Sequence, residues 1–254
     1  MLKIDHATIK FGGLTAVDSV DFEVKKGSIF GLIGPNGAGK TTLFNLISGV
    51  YAPTSGKIYL NDEDITGLPP FKICCKGIAR TYQNINLFHS LTVMENVKIG
   101  CHTKVRSNLF SNIVHTSAQK AEERAIQEKC MELLEFVGLA DKVDYLARNL
   151  SYGDQRRLEI ARAMATEPHL LLLDEPAAGM NSKEKVDLTE LISKINSKGM
   201  TILLVEHDMK LVMKVTHEIC VLNFGKKIAQ GSPKEIQTNP AVIEAYLGGG
   251  LIGE

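Results

Sequence analysis

The chain has 254 residues, 44% of them hydrophobic and 23% charged, and its 29 Lys+Arg balance 29 Asp+Glu to a formal charge of zero. This composition excludes a disordered polyelectrolyte and a protein embedded in lipid throughout. It also lacks the broad cationic field that draws nucleic acid by neutralising phosphates. The longest apolar stretches, such as Leu170–Leu173 and Ile202–Val205, fall far short of the ~20 residues that span a bilayer. Lys3, Asp5 and Lys10 interrupt the apolar residues of the N-terminal segment. That segment therefore lacks a signal-peptide core, and the chain is expected to stay in the cytosol. Cys74, Cys75, Cys101, Cys130 and Cys220, odd in number and without CxxC spacing, read as reduced, packing thiols.

In chain order, Lys3–Lys10, Asp21–Lys25 and Gly56–Asn61 read as strands, the last after the turn cluster Pro53–Gly56. Ser28–Ile33 is a short buried strand leading into the glycine-rich turn Gly34–Gly39, and a helical pattern runs from Lys40 to a stop at Gly49. The polar stretch Lys104–Gln119 reads as a surface loop or short helices. Ala118–Val137 sets Ala125, Cys130, Leu133, Leu134 and Val137 at helical spacing and opens a helical region. Arg156–Ala165 continues as helix, and Leu170–Leu173 has the unbroken apolar run of a strand buried on both faces, ending in Asp174-Glu175. Lys183–Asn196 and the strand Thr201–Val205 complete a βαβ rhythm. Near the end, Ser232-Pro233-Lys234-Glu235 is a capping box with proline at the first helical position, and Asn239-Pro240 opens a last short helix toward Leu247.

Gly34-Pro35-Asn36-Gly37-Ala38-Gly39-Lys40-Thr41 matches G-x-x-x-x-G-K-[ST] at every fixed position, between a buried strand and a helix. In that setting backbone N–H groups and the positive helix end wrap a polyphosphate; Lys40 reaches the β and γ phosphates and the Thr41 hydroxyl ligates Mg²⁺. Asp174, at the carboxyl end of its strand, is placed for the Mg²⁺ shell, and Glu175, one residue on, for a general base or water-orienting group.

Leu150-Ser151-Tyr152-Gly153-Asp154-Gln155-Arg156-Arg157, with Leu158–Ala163 after it, resembles the signature segment of ATP-binding cassette (ABC) ATPases. Physically it is a second helix N-terminus, at which Ser151 and the Gly153 backbone can hydrogen-bond an anion. The resemblance implies that this anion is the γ-phosphate of ATP held by a partner subunit, so that two nucleotides join a head-to-tail dimer. It further implies that Gln83, in Arg80-Thr81-Tyr82-Gln83-Asn84, touches Mg²⁺ and the attacking water; that His207, in Glu206-His207-Asp208, is the switch histidine on the γ-phosphate; and that Phe11 stacks on adenine. Gly34 through Thr42 are then the ATP loop, Thr41, Gln83 and Asp174 the metal side, and Glu175, His207 and Gln83 the catalytic group. The fold implied is an α/β P-loop NTPase (RecA-like) core with an antiparallel β subdomain and an inserted helical subdomain. A single cassette over 2–249 would comprise a core from 1–88 and 165–231, a helical subdomain at 89–164 and C-terminal helices with a tail at 232–254.

The chain departs from the common family pattern at Tyr152, where many members have glycine, at Asp154, where many have glutamine, and at Asn181, where most have aspartate. Together with Phe11-Gly12-Gly13-Leu14, Pro176-Ala177-Ala178-Gly179 and Glu206-His207-Asp208-Met209-Lys210, these positions resemble the ATP-binding subunits of bacterial branched-chain amino acid importers. The resemblance implies an ATPase using ATP and Mg²⁺, peripheral on the inner face of the cell membrane. Its partners would be a second cassette, identical or related, two transmembrane permease subunits and, indirectly, a substrate-binding protein, with no nucleic acid. A small-molecule kinase would share the phosphate loop but not the signature, and a chromosome or repair ATPase would need a longer insert between the nucleotide motifs. A lipid- or lipopolysaccharide-exporting cassette would look nearly the same; the Tyr152–Gln155 form favours the amino-acid branch.

Overall fold

The computed structural model describes residues 1–101 and 117–248, which divide into two units, 1–83 with 169 onward, and 84–168. In the first unit, strands β1 (Leu2–Phe11), β2 (Leu14–Val24), β4 (Ser55–Leu60) and β5 (Glu63–Asp64) form an antiparallel sheet in the order β2-β1-β4-β5. Burial alternates over Leu2–Ile4 of β1 and Val20–Val24 of β2, as expected of strands that cover a core with one face, while Ala7, Thr8 and Ile9 are buried in succession. β2 begins seven residues before the stretch expected from Asp21. The β1–β2 register shifts between Ile4 and Ala7, with His6 and Ser19 both at φ 49, and this bulge breaks the sequence alternation.

Among the described residues the second sheet of this unit has six strands, in the order β10-β9-β3-β8-β7-β6. β3 (Ile29–Ile33), β7 (Leu170–Asp174) and β8 (Thr201–Val205) are buried at every position and parallel to one another, which is why each reads as a continuous apolar run. β6 (Ile78–Arg80) joins β7 in parallel, β9 (Glu218–Asn223) joins β3 in parallel, and β10 (Lys226–Gly231) turns back antiparallel on β9. Helices α1 (Lys40–Ile47), α2 (Pro70–Cys75), α6 (Ser182–Ser197), α7 (Met209–Val215), α8 (Pro233–Thr238) and α9 (Pro240–Gly248) belong to the same unit.

One hydrophobic core joins both sheets to α1, with Leu2, Ile4 and Phe22 from the first sheet, Phe30, Leu172 and Leu203 from the second, and Leu43 and Phe44 from the helix. A second cluster seats Ile236 of α8 and Val242 of α9 against Ile33, Ile219 and Val221. Among the described residues no helix is long and apolar enough to cross a membrane.

The second unit contains α3 (Val93–Cys101), α4 (Ser117–Val137) and α5 (Tyr152–Ala165). The helix expected over Ala118–Val137 is α4, and the one expected from Arg156 starts a turn earlier because Ser151 caps it, its hydroxyl accepting from the Asp154 N–H at 3.2 Å. Residues 104–116 of the expected loop or short helices lie outside the described residues, and Ser117 already opens α4. Gly100 lets α3 approach α5 so closely that a Cβ would run into the Arg162 carbonyl. The fully buried Arg156 pairs with Glu159 at 2.7 Å, and Cys101 and Cys130 meet with Sγ atoms 3.6 Å apart. All five cysteines are free thiols.

Candidate functional site: a phosphate-loop cleft

The glycine-rich turn leaves β3 at Ile33 and enters α1 at Lys40, and its backbone can be built only from glycine at two points. Gly39 caps the helix in the left-handed region at φ 99, where a Cβ would lie 2.5 Å from the Ala16 carbonyl oxygen. At Gly34 a Cβ would collide with the Leu222 carbonyl oxygen. The first turn of α1 carries neither a side-chain cap nor an acidic residue, so its N–H groups and the positive end of its dipole face outward without a competing carboxylate.

This loop floors a cleft of about 380 Å³, walled by Leu14, Thr15 and Ala16 of β2, by Glu175 and His207, and by Phe224 of the β9–β10 turn. The turn is fastened to the loop, since the Gly225 N–H donates to the Ala38 carbonyl at 3.0 Å. Asn36 through Thr42 line the cleft. The Lys40 ammonium is buried and donates to the Gly34 and Pro35 carbonyls at 2.8 Å each. Burial lowers the Lys40 pKa, while the nearby Glu175 and Asp174 carboxylates oppose the shift.

Glu175 stands directly after β7 at φ 46, an uncommon conformation for a residue with a side chain. Its N–H donates to the Val205 carbonyl of the neighbouring strand at 2.9 Å. Both oxygens of its carboxylate are engaged: His207 Nε2 lies 2.6 Å from Oε1, and Gln83 Nε2 donates to Oε2 at 3.0 Å. Two residues far from Glu175 in sequence therefore converge on its carboxylate at the cleft wall.

Asp174 is held from behind by Arg80, whose Nη2 donates to Oδ2 at 2.6 Å while Nη1 reaches Asn45 Oδ1 at 2.7 Å and Ser48 Oγ at 2.8 Å. Within Arg80-Thr81-Tyr82-Gln83-Asn84 no local feature marks a role for Arg80, because its partner Asp174 is so distant along the chain. Leu14, the exposed Phe224 and the buried Glu206 are likewise brought to the site only by the fold.

Phe11 is half exposed at the end of β1 and packs edge-on against Tyr51, ring centroids 5.3 Å apart. Ser151 and Gly153 belong to the second unit, at the start of α5, where Arg156 reaches the Tyr152 hydroxyl at 3.4 Å. Asn181 caps α6: its Oδ1 accepts from the Lys183 and Glu184 N–H groups at 3.0 Å each, and Glu184 returns the bond to the Asn181 N–H.

Among the described residues no group of three or more His, Cys, Asp or Glu side chains could cage a metal ion. The oxygen donors at the cleft, Thr41 of the loop and the buried Asp174 beside Lys40, suit a hard cation that takes one or two protein ligands and completes its shell with substrate phosphates.

Comparison with known proteins agrees in family and in extent. The ABC transporter family matches residues 17–178, and the branched-chain amino acid ATP-binding cassette transporter family matches residues 226–251. The chain is 47% identical over 249 residues, 98% of each chain, to the high-affinity branched-chain amino acid transport ATP-binding protein BraF of Pseudomonas aeruginosa. It is equally similar to LivG of Salmonella typhimurium and 46% identical to LivG of Escherichia coli K12, described in the same terms. A nucleotide-free cassette from an ABC transporter matches with a TM-score of 0.85 at 33% identity, covering 100% of this chain and 99% of that one. A dimeric cassette bound to ADP and Pi in a post-hydrolysis state matches with a TM-score of 0.76 at 26% identity, covering 92% and 99%. With a family match over most of its length, relatives of nearly equal length and solved cassettes matched along it, the chain belongs to the ABC transporter family as one of its ATP-binding cassettes.

Proposed function

We propose that this chain is the ATP-hydrolysing, energy-coupling subunit of an importer for branched-chain amino acids, peripheral on the inner face of the cytoplasmic membrane. The observation that carries the hydrolytic reading is the Glu175 carboxylate, gripped by His207 at 2.6 Å and Gln83 at 3.0 Å on the wall of a phosphate-loop cleft. The relatives' names and the family match over residues 226–251 support the substrate class.

In this reading the loop from Gly34 to Thr42 and the start of α1 bind the triphosphate through main-chain N–H groups, and Lys40 turns from its loop carbonyls toward the β and γ phosphates. Thr41, Asp174 and Gln83 would hold Mg²⁺, which neutralises charge on the phosphates. Glu175 orients the attacking water and accepts its proton, while His207 steadies the γ-phosphate and the Glu175 carboxylate together. Phe11 offers the adenine an aromatic face. Ser151 and Gly153 would meet the nucleotide of a second cassette, identical or related, so that closure of two cassettes around two ATP completes each site. The motion passes to two permease subunits through residues 84–88 and the helical unit, and a substrate-binding protein delivers the cargo. The protein's contribution is positioning and charge stabilisation, with no covalent intermediate.

The test is co-purification of the chain with its membrane subunits in lipid and measurement of ATP hydrolysis while binding protein loaded with single amino acids is added. Stimulation by leucine, isoleucine or valine is the expected result. Stimulation by a lipid in place of these amino acids overturns the substrate, and absence of hydrolysis overturns the activity.

A further inference from the structure

β8 is buried along its whole length, and the acid that follows it also turns inward: Glu206 is 3% exposed. A carboxylate in such a place is costly unless its oxygens are hydrogen-bonded. Here main-chain donors from two loops supply the bonds. The Ala177 N–H donates to Oε1 at 2.6 Å, and the His207 and Asp208 N–H groups donate to Oε2 at 2.9 and 3.3 Å. Burial, followed by the neighbouring Glu175 charge, raises the Glu206 pKa, and the three N–H bonds oppose the rise.

The two loops are those that carry the chemistry. Ala177 lies two residues after Glu175, whose φ of 46 is strained for a non-glycine residue and persists only under restraint from its surroundings. One restraint is the bond from the Glu175 N–H to the Val205 carbonyl; the next runs from Ala177 to the adjacent side chain, Glu206. On the other side Glu206 fixes the main chain of His207 itself, and Lys185 of α6 holds Asp208 at 2.8 Å. An apolar residue at 206 would leave the three N–H groups facing a wall without an acceptor.

We propose that Glu206 is a positioning residue: its carboxylate clamps the loop bearing Glu175 to the loop bearing His207 and so keeps the two side chains in register with each other. This rests on the hydrolytic reading of Glu175 and His207 given above. It predicts that the loss on changing Glu206 is felt through His207.

The experiment is a double-mutant cycle on the purified full chain, reading kcat and KM for ATP, nucleotide affinity by calorimetry and melting temperature. Glu206→Gln keeps the shape, but its single amide oxygen can serve only one of the two loops while its NH₂ faces N–H donors on the other. The expected result is a fall in kcat of ~10- to 100-fold with KM and nucleotide affinity near the parent values, the size a small misplacement of reacting groups produces. In a His207→Ala background the same change should cost less than about twofold, since residues acting as a unit are not additive. Glu206→Asp, which keeps the charge on a shorter arm, should fall between Gln and parent, and it replaces Gln in the cycle if that variant melts early. A parent kcat, or losses that multiply in the double variant while His207→Ala alone is slow, overturns the clamp. A His207→Ala variant at the parent rate overturns the reading of the site itself, and the clamp with it.

Discussion

Arg80 and Asp174 form a buried ion pair, 2.6 Å long with side chains only 7% and 3% exposed, that ties β6 to the carboxyl end of β7. The same guanidinium reaches Asn45 of α1 and Ser48 at its C-terminal cap, so one side chain links the phosphate-loop helix to the strand that ends in Asp174 and leads into Glu175. Removing one partner of a buried pair strands the other charge. Arg80→Ala is therefore expected to destabilise the fold by about 3–5 kcal/mol. Adding Asp174→Ala to it should cost less than the sum of the single changes, which chemical denaturation of the three variants measures.

Glu175→Gln keeps the size of the side chain and a contact with Gln83 or His207 but removes the carboxylate proposed as the base. Such a variant should bind ATP with parent affinity and hydrolyse it ~10²- to 10³-fold more slowly. It should also accumulate as an ATP-dependent dimer on size-exclusion chromatography. Hydrolysis at the parent rate would remove Glu175 from the mechanism.

Among the described residues Lys40 is the one Lys or Arg that lines the cleft, and its ammonium is already desolvated and held by Gly34 and Pro35. Lys40→Ala should lose nucleotide affinity by more than about tenfold, the order expected when a charge-assisted phosphate contact of about 1.5–3 kcal/mol is removed. Titration calorimetry with ATP reads the loss directly. Unchanged affinity would mean that the main chain alone binds the phosphates.

Two glycines of the same loop should respond differently to alanine. Both have positive φ, 76 at Gly37 and 99 at Gly39, but a Cβ at Gly37 meets nothing within 4 Å whereas one at Gly39 meets the Ala16 carbonyl at 2.5 Å. Gly37→Ala should cost about 1–2 kcal/mol from backbone strain alone. Gly39→Ala should cost more and separate the loop from β2, with nucleotide affinity falling alongside the melting temperature.

What the sequence reveals and what it hides divides along physical lines. The strands buried on both faces are legible because Leu170–Leu173 and Ile202–Val205 are unbroken apolar runs, and the phosphate loop is legible because its glycines and lysine are spaced by one local function. The capping box at Ser232 is equally local, with its reciprocal bond to Glu235 present. β6 is three residues long, too short for any periodicity, and β2 loses its alternation at a bulge. Asn181 carries the same kind of local mark as Ser232: with Glu184 three residues on it has capping-box spacing, and its side-chain oxygen is committed to the first turn of α6, a cap that aspartate would make equally well. Arg80 and Glu206 are hidden for another reason: a basic residue after a short strand and an acid beside a histidine have no sequence mark that says which distant backbone or carboxylate they will meet.

The central position of β3 bears on the order of events in folding. The strand that launches the phosphate loop is flanked by Thr201–Val205 on one side and Glu218–Asn223 on the other, and the loop is closed from above by residues 222–225. An element made early on the ribosome thus waits for neighbours synthesised some 170–190 residues later. Until they arrive, β3 has two open edges and the Gly34–Lys40 segment has only the β2 wall of Leu14, Thr15 and Ala16 beside it. The walls supplied by Glu175, His207 and Phe224 come last, so the cleft is whole only once synthesis has passed the β9–β10 turn.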